Sequence, residues 1–413
     1  MSAPVLAGRL GRAGPRREGR ERIRRLILLT TALAVVGVGV VACGGGSEPA
    51  AGAAASTQAT AGPVTGEAAS PRSGATRPGA SEAGAAGAGT AAPGLRIVVT
   101  GLAAPWDVAF LPSGEALISE RDSGRIIRLP AGGGRATEVA RLPGVVHRGE
   151  SGLLGLAVSP SFATDRLVYA YYTSATDNRI VRFRLSGDRA EAPTPILTGL
   201  ADAAVHNGGR IRFGPDGLLY AGVGDAGVRS RAQDRSSLNG KILRMRPDGG
   251  VPPGNPFPSS LVYSLGHRNV QGLAWDSAGR LWASEFGQDR LDEINLIVPG
   301  GNYGWPGVEG TGDTDGGRLR NPLATWTTAE ASPSGIAIRG DTLYVAALRG
   351  QRLWELDLAG TAVRGRPRAL FTGELGRLRA AVAAPDGSVW LLTNNTDGRG
   401  APKPGDDRIV ALR

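Results

Sequence analysis

One cysteine and three histidines in 413 residues close off several chemistries at once. The lone Cys43 excludes a disulfide framework and any cysteine-built metal site. His147, His206 and His267 leave little room for a histidine-rich metal centre. Helical periodicity is nearly absent from about residue 95 onward, and no basic helix or aromatic-basic interleaving occurs there. The formal charge is +10, but eight arginines and two glutamates in residues 1–42 supply +6 of it, leaving +4 for the rest. A nucleic-acid partner is therefore not expected.

What is present falls into three parts. An arginine-rich start ends at Arg24-Arg25, and a 17-residue apolar run follows from Leu26 to Ala42. Charged, apolar and small-residue segments in that order make an export signal. Cys43, directly after Val40-Val41-Ala42, resembles the acceptor of a bacterial lipobox, which implies a lipidated N-terminus anchored to the cell membrane and facing away from the cytoplasm. The alternative is an uncleaved membrane anchor, since 17 apolar residues can just span a bilayer. Residues 43–94 are almost wholly small, polar or proline beyond the cysteine, and cannot bury enough apolar surface to order themselves. They read as a flexible tether with a reach of about 40 Å.

From Leu95 to Arg413 a loose unit recurs: a Gly- or Asp-containing turn, a strand with an aromatic or aliphatic pair, a short loop, and a second strand ending in Arg-apolar. The turns start near 114, 165, 217, 279, 341 and 387. Spacings of 46 to 62 residues suit one four-stranded blade per repeat. The fold expected is all-β, a six-bladed β-propeller, with a β-sandwich as the alternative. Strand Leu95–Val99 should join the last blade and close the ring.

Four loops carry candidate chemistry. His206, in Val205-His206-Asn207-Gly208-Gly209, has Asp225 in the same repeat to orient it, and a His–Asp pair suits a general base. Arg268 and Asn269 lie in a Gly-bounded loop and suit carbonyl or carboxylate oxygens, or a structural buttress. Ser284 to Glu293 holds four acids in a Gly-containing loop, which could feed a hard cation or merely be solvated. Arg349, Arg377 and Arg379 form a basic set that a polyanion would explain, although a solvated edge is the simpler account of them alone.

Together these strings resemble the soluble pyrroloquinoline quinone (PQQ)-dependent aldose sugar dehydrogenases over roughly residues 98–395. Pro105-Trp106-Asp107, Gly152-Leu153-Leu154-Gly155, Phe213-Gly214-Pro215-Asp216-Gly217, Gly266-His267-Arg268-Asn269, Asp292-Glu293-Ile294-Asn295 and Gly301-Asn302-Tyr303-Gly304-Trp305-Pro306 follow in that family's order. The resemblance implies PQQ and Ca²⁺ as cofactors, an aldose substrate oxidised to a lactone, and an unidentified electron acceptor. It implies His206 as base, Asp225 as its partner, and Arg268 and Asn269 beside the quinone. Arg349, Arg377 and Arg379 then bind the PQQ carboxylates. Gly287 and Gln288 offer carbonyls to the PQQ-bound Ca²⁺, and Glu293 and Tyr303 hold a second, structural one. Glu150 stands near the reaction centre where relatives often carry Gln, and Gln288 stands where many carry Pro. No long aromatic insertion lies between Trp305 and Arg349, so an open site is expected and the sugar is unnamed. A non-catalytic binding propeller and a Ca²⁺-dependent lactone hydrolase are the competing functions.

Overall fold

The computed structural model describes residues 94–413; the expected export segment, Cys43 and the expected tether to residue 93 lie outside the described residues. The strands in it follow from runs such as Ala116-Leu117-Ile118, Val389-Trp390-Leu391-Leu392 and Leu219-Tyr220-Ala221, apolar on both faces. Successive side chains on a strand point to opposite faces. Leu117 accordingly enters one apolar cluster and Ile118 another, and Leu391 and Leu392 divide in the same way. A strand apolar on both faces must lie between two neighbouring sheets.

Six antiparallel sheets result, each essentially four strands wide. The first is Pro105–Phe110, Ala116–Glu120, Arg125–Leu129 and Thr137–Arg141. The next four open on Leu153–Val158, Ile211–Phe213, Val270–Trp275 and Pro333–Arg339. The sixth runs Leu378–Ala383, Val389–Thr393, Ile409–Leu412, and then takes Leu95–Val99 as its outer strand, with Leu95 opposite Leu412 and Ile97 opposite Val410. The expected closure by the N-terminal strand is therefore observed. The first strand of each sheet lies beside the first strands of the sheets before and after it, and the sixth returns to the first. Six apolar clusters fill the six spaces between neighbouring sheets. This is a six-bladed propeller. Among the described residues helix is limited to Phe162–Asp165 and a 3₁₀ turn at Arg229–Ala232.

Close approach of the inner strands needs glycine at one point in particular. A Cβ on Gly155 would collide with the Gly209 carbonyl of the next blade. Inside the ring, Asp107 is fully buried between Arg210 and Arg212 and also accepts the Leu156 amide, so one carboxylate ties three blades together.

Candidate active site at one mouth of the ring

In an antiparallel sheet the start of the first strand and the end of the second lie at the same edge. His206, Arg268 and Arg377 precede first strands; Asp225, Gly287, Gln288, Arg349 and Asp397 follow second strands. Residues far apart in sequence are thereby gathered on one face of the propeller.

His206 sits at the centre of this group. Its Nδ1 lies 2.7 Å from Asp225 Oδ1, and its Nε2 lies 2.6 Å from Arg268 Nη2. A guanidinium can only donate. The Arg268 contact therefore sets Nε2 as the acceptor and Nδ1 as the N–H that donates to Asp225. The backbone of His206 is in the left-handed region, φ 57°, which costs a non-glycine residue about 1–2 kcal/mol. Two contacts hold it there: its N–H donates to Glu150 Oε2 at 3.0 Å, and its carbonyl accepts from Ala226 at 3.2 Å. Gly224 packs so tightly under this turn that a Cβ there would run into the His206 carbonyl.

Asp225 is fully buried and also accepts from Trp305 Nε1 at 2.9 Å and Gly227 N at 2.8 Å. Burial pushes its carboxyl upward. The hydrogen bond and charge of His206, with the Trp305 and Gly227 donors, outweigh burial and hold it below the usual range. It is therefore an anion at neutral pH, suited to an imidazole that gains charge.

Arg268 is mostly buried, and burial lowers its pKa against the opposing charges of Asp225, Glu150, Glu285 and Glu309. Its remaining donors reach Gln288 Oε1 at 3.0 and 3.1 Å and the Phe286 carbonyl at 3.1 Å. Gln288 thus uses its side chain to position Arg268. Asn269 is fully buried; its Oδ1 accepts from Gly208, while its Nδ2 has no partner among the described residues.

The basic set divides. Arg349 is exposed, and its side chain makes no ion pair or hydrogen bond among the described residues. Arg377 and Arg379 are buried, and both face Asp397, at 3.0 and 3.8 Å. Arg377 Nε is buried without a partner among the described residues. Arg379 reaches Asn394 at 2.9 Å and Gln271 at 2.9 Å; burial first, then the charges of Arg121 and Arg377, pull its pKa down. One carboxylate serves two buried guanidinium groups, with Arg121 close by, so the cluster keeps an excess of positive charge.

The acidic segment departs from the sequence reading. The loop is only Phe286–Arg290; Glu285 ends one strand, and Asp292 and Glu293 lie buried in the next, Leu291–Ile297. On this strand Leu291 shares a face with Glu293 and Ile294 shares the other with Asp292, so each acid is drawn in beside an apolar residue. Glu285 and Glu293 stand directly opposite one another in the pairing. Burial, followed by the charge of Glu285, pushes Glu293 up to about 8. Burial likewise pushes Asp292 up to about 6. Beside Glu293, Asn295 Oδ1 is a buried acceptor without a partner. The Gly287 and Gln288 carbonyls accept no hydrogen bond among the described residues. Tyr303 stacks on His267, with ring centres 4.7 Å apart, and its hydroxyl is engaged by the Leu296 carbonyl and the Val298 amide. His267 is held by Glu285 and Ser264 and is a structural residue. Among the described residues no three acidic, histidine or cysteine side chains converge on one point.

Residues 102–401 match the Glucose / Sorbosone dehydrogenase family. The chain belongs to that family. It is 54% identical to the aldose sugar dehydrogenase of Streptomyces coelicolor, whose PQQ-bound structure superposes with a TM-score of 0.75 over 78% of this chain and 99% of that one. It is 30% identical to the aldose sugar dehydrogenase of Escherichia coli over 71% of this chain and 88% of that protein. Against quinoprotein glucose dehydrogenase B of Acinetobacter calcoaceticus it is 34% identical, with 54% of each chain covered. The Glucose / Sorbosone dehydrogenase match ends at residue 401, so it includes Trp305, Asp397 and Arg399. Sequence reasoning assigned no role to these three, nor to Gln271. Asp397 and Arg399 sit in a Thr-Asp-Gly-Arg turn, whose only sequence signal is that it is a turn.

Proposed function

We propose that this chain is a PQQ- and Ca²⁺-dependent dehydrogenase that oxidises aldoses at the anomeric carbon to lactones. The observation that carries the reading is the His206 Nε2 lone pair, oriented by Asp225 and facing Arg268, beside buried donors with nothing to bind. The unpartnered Asn269 Nδ2 and Arg377 Nε fit an acceptor-rich ligand. The excess positive charge around Asp397 fits a polycarboxylate. Arg349, Arg377 and Arg379 would hold the carboxylates, with Arg268 and Asn269 at the reacting end and Glu150 close by. The free carbonyls of Gly287 and Gln288 suit one Ca²⁺. Glu293 with Asn295 Oδ1 suits a second, to which Tyr303 has only its carbonyl to offer. The PQQ-bound form of the Streptomyces coelicolor relative supports the same cofactor here.

Bound PQQ supplies the two-electron acceptor for the hydride leaving the anomeric carbon, with Ca²⁺ as a Lewis acid against it. His206 Nε2 takes the proton of the anomeric hydroxyl. Asp225 keeps the ring in the required tautomer and stabilises the imidazolium that forms. Arg268 sets a fixed positive charge where negative charge develops.

The purified protein, supplied with PQQ and Ca²⁺, should reduce a redox dye with at least one member of an aldose panel. Tight PQQ binding with no dye reduction by any aldose would favour a binding propeller instead. Arg349→Ala and Arg377→Ala should each weaken PQQ binding about ten- to a hundred-fold, the worth of one hydrogen bond to a charged group. Arg349 is exposed, so its loss leaves the fold intact; unchanged affinity in both variants would remove both from the carboxylate-binding set.

Export and lipidation at Cys43, with residues 43–94 as tether and 95–413 as the catalytic domain, belong to the same proposal. They rest on the order of charged, apolar and small residues before that cysteine. Metabolic labelling with a fatty acid should mark the wild-type chain and fail with Cys43→Ser; label retained by the variant would sink the lipid anchor.

A further inference from the structure

Glu150 makes two contacts that join distant parts of the mouth. Its Oε2 accepts from the backbone of His206 at 3.0 Å, and its Oε1 lies 3.2 Å from Arg399 Nη1. Arg399 stands on the loop of the sixth blade, 249 residues further along the chain. Its turn is tightly held. The Arg399 amide donates to Asp397 Oδ1 at 2.9 Å, and a Cβ on Gly400 would press on the backbone of Asn395. Asn395 is in turn fixed by the Arg377 amide at 2.8 Å and by the Leu375 carbonyl at 3.0 Å. Arg399 is therefore delivered to the rim by a rigid turn, and its guanidinium is half-exposed, with a side-chain exposure of 46%. Only Nη1 is engaged; Nε and Nη2 make no hydrogen bond among the described residues. Glu150 also lies close enough to Arg268 and Arg379 for its charge to act on both, which sets it between the base and the basic cluster.

The charge balance separates Arg399 from the other arginines of the mouth. Arg377 and Arg379 share one carboxylate, and Arg349 has none. Arg399 has Glu150 as its direct ion-pair partner, a carboxylate whose charge also reaches Arg268 and Arg379. Unbalanced positive charge suits carboxylates. A balanced pair that presents donors beside an acceptor suits neutral vicinal hydroxyls, which both donate and accept. We propose that Arg399, anchored by Glu150, is a sugar-recognising residue that binds aldose hydroxyls remote from the anomeric carbon and so sets substrate preference. This rests on the aldose-oxidising reading above and adds a specificity residue to it.

The test compares wild type with Arg399→Leu and Arg399→Lys, each loaded with PQQ and Ca²⁺, using dye reduction over D-glucose and its single-position deoxy analogues. Arg399→Leu should raise KM about tenfold or more, the effect of losing a charge-assisted hydrogen bond, with kcat within about twofold. Arg399→Lys should recover part of that loss. One deoxy analogue should show the same KM with wild type and Arg399→Leu, because it lacks the hydroxyl in question. PQQ affinity should not change. An unchanged KM for every sugar would overturn the proposal, and so would a loss of PQQ affinity that accounts for the whole effect. If wild type itself reduces no dye with any aldose, the function fails rather than this assignment.

Discussion

His206→Ala is expected to cut turnover by roughly 10²–10⁴-fold, the range typical of a lost general base, while leaving the fold and cofactor affinity nearly unchanged. The ring makes two side-chain hydrogen bonds, to Asp225 and Arg268. Neither partner is stranded without it. Asp225 keeps Trp305 and Gly227, and Arg268 keeps Gln288 and Phe286. The backbone tie to Glu150 does not involve the ring at all. The left-handed turn at residue 206 is a modest cost that alanine bears as histidine does, slightly more so, and it is small beside the expected loss of rate. Rate should therefore fall without assembly failing. Asp225→Asn should lose less rate, because it weakens orientation and charge stabilisation but leaves the base in place. Single-turnover dye reduction, with PQQ binding measured separately, gives the comparison. Near wild-type turnover for His206→Ala on an active aldose would remove the imidazole from the proton-transfer step.

Asp107→Asn should destabilise the fold by about 3–5 kcal/mol at neutral pH, the cost of breaking a buried ion pair by removing one partner. Few single changes in this chain should do more, given that whole domains are stable by only about 5–15 kcal/mol. Asp107 is fully buried and receives two hydrogen bonds of 2.7 Å from Arg212, one of 3.0 Å from Leu156, and the ion pair with Arg210. Arg210 is itself buried against the Trp106 ring, 4.1 Å from its centre. An amide in place of the carboxylate leaves that guanidinium uncompensated. Burial pushes the Asp107 carboxyl up, but Arg210 and Arg212 outweigh it and hold its pKa below the usual value. A depressed native pKa means stability present above the unfolded value of about 4 and lost as pH falls through the native one. The gap between wild type and Asp107→Asn should therefore be widest at neutral pH and narrow on acidification below about pH 4. Denaturation midpoints at pH 7 and in acid measure both effects. Equal midpoints at pH 7 would show that the arginines find other compensation.

Blade count and the ring-closing strand were legible in the sequence. They follow from local signals: glycine and aspartate turns, and runs such as Ala116–Glu120 that are apolar on both faces and can only sit between sheets. His206, Arg268 and Asn269 stood out because polar residues in glycine-bounded loops at blade entrances have few structural duties. The acidic segment was misjudged for an equally local reason. The apolar residues at 291 and 294 carry Asp292 and Glu293 into a buried strand, and a charge count alone favours a loop. The tertiary structure alone decided which loops meet. Asp225 finds Trp305 80 residues on, Glu150 finds Arg399 249 residues on, and Arg377 and Arg379 find Asp397 across their own blade. The first two encounters are fixed by packing the blades around the ring, which turns every blade's entrance loop toward one axis, while the third needs only the pairing of two strands within one blade. No local pattern encodes that closure geometry, because the strands that create it are interchangeable in hydrophobicity and differ only in where the circle places them.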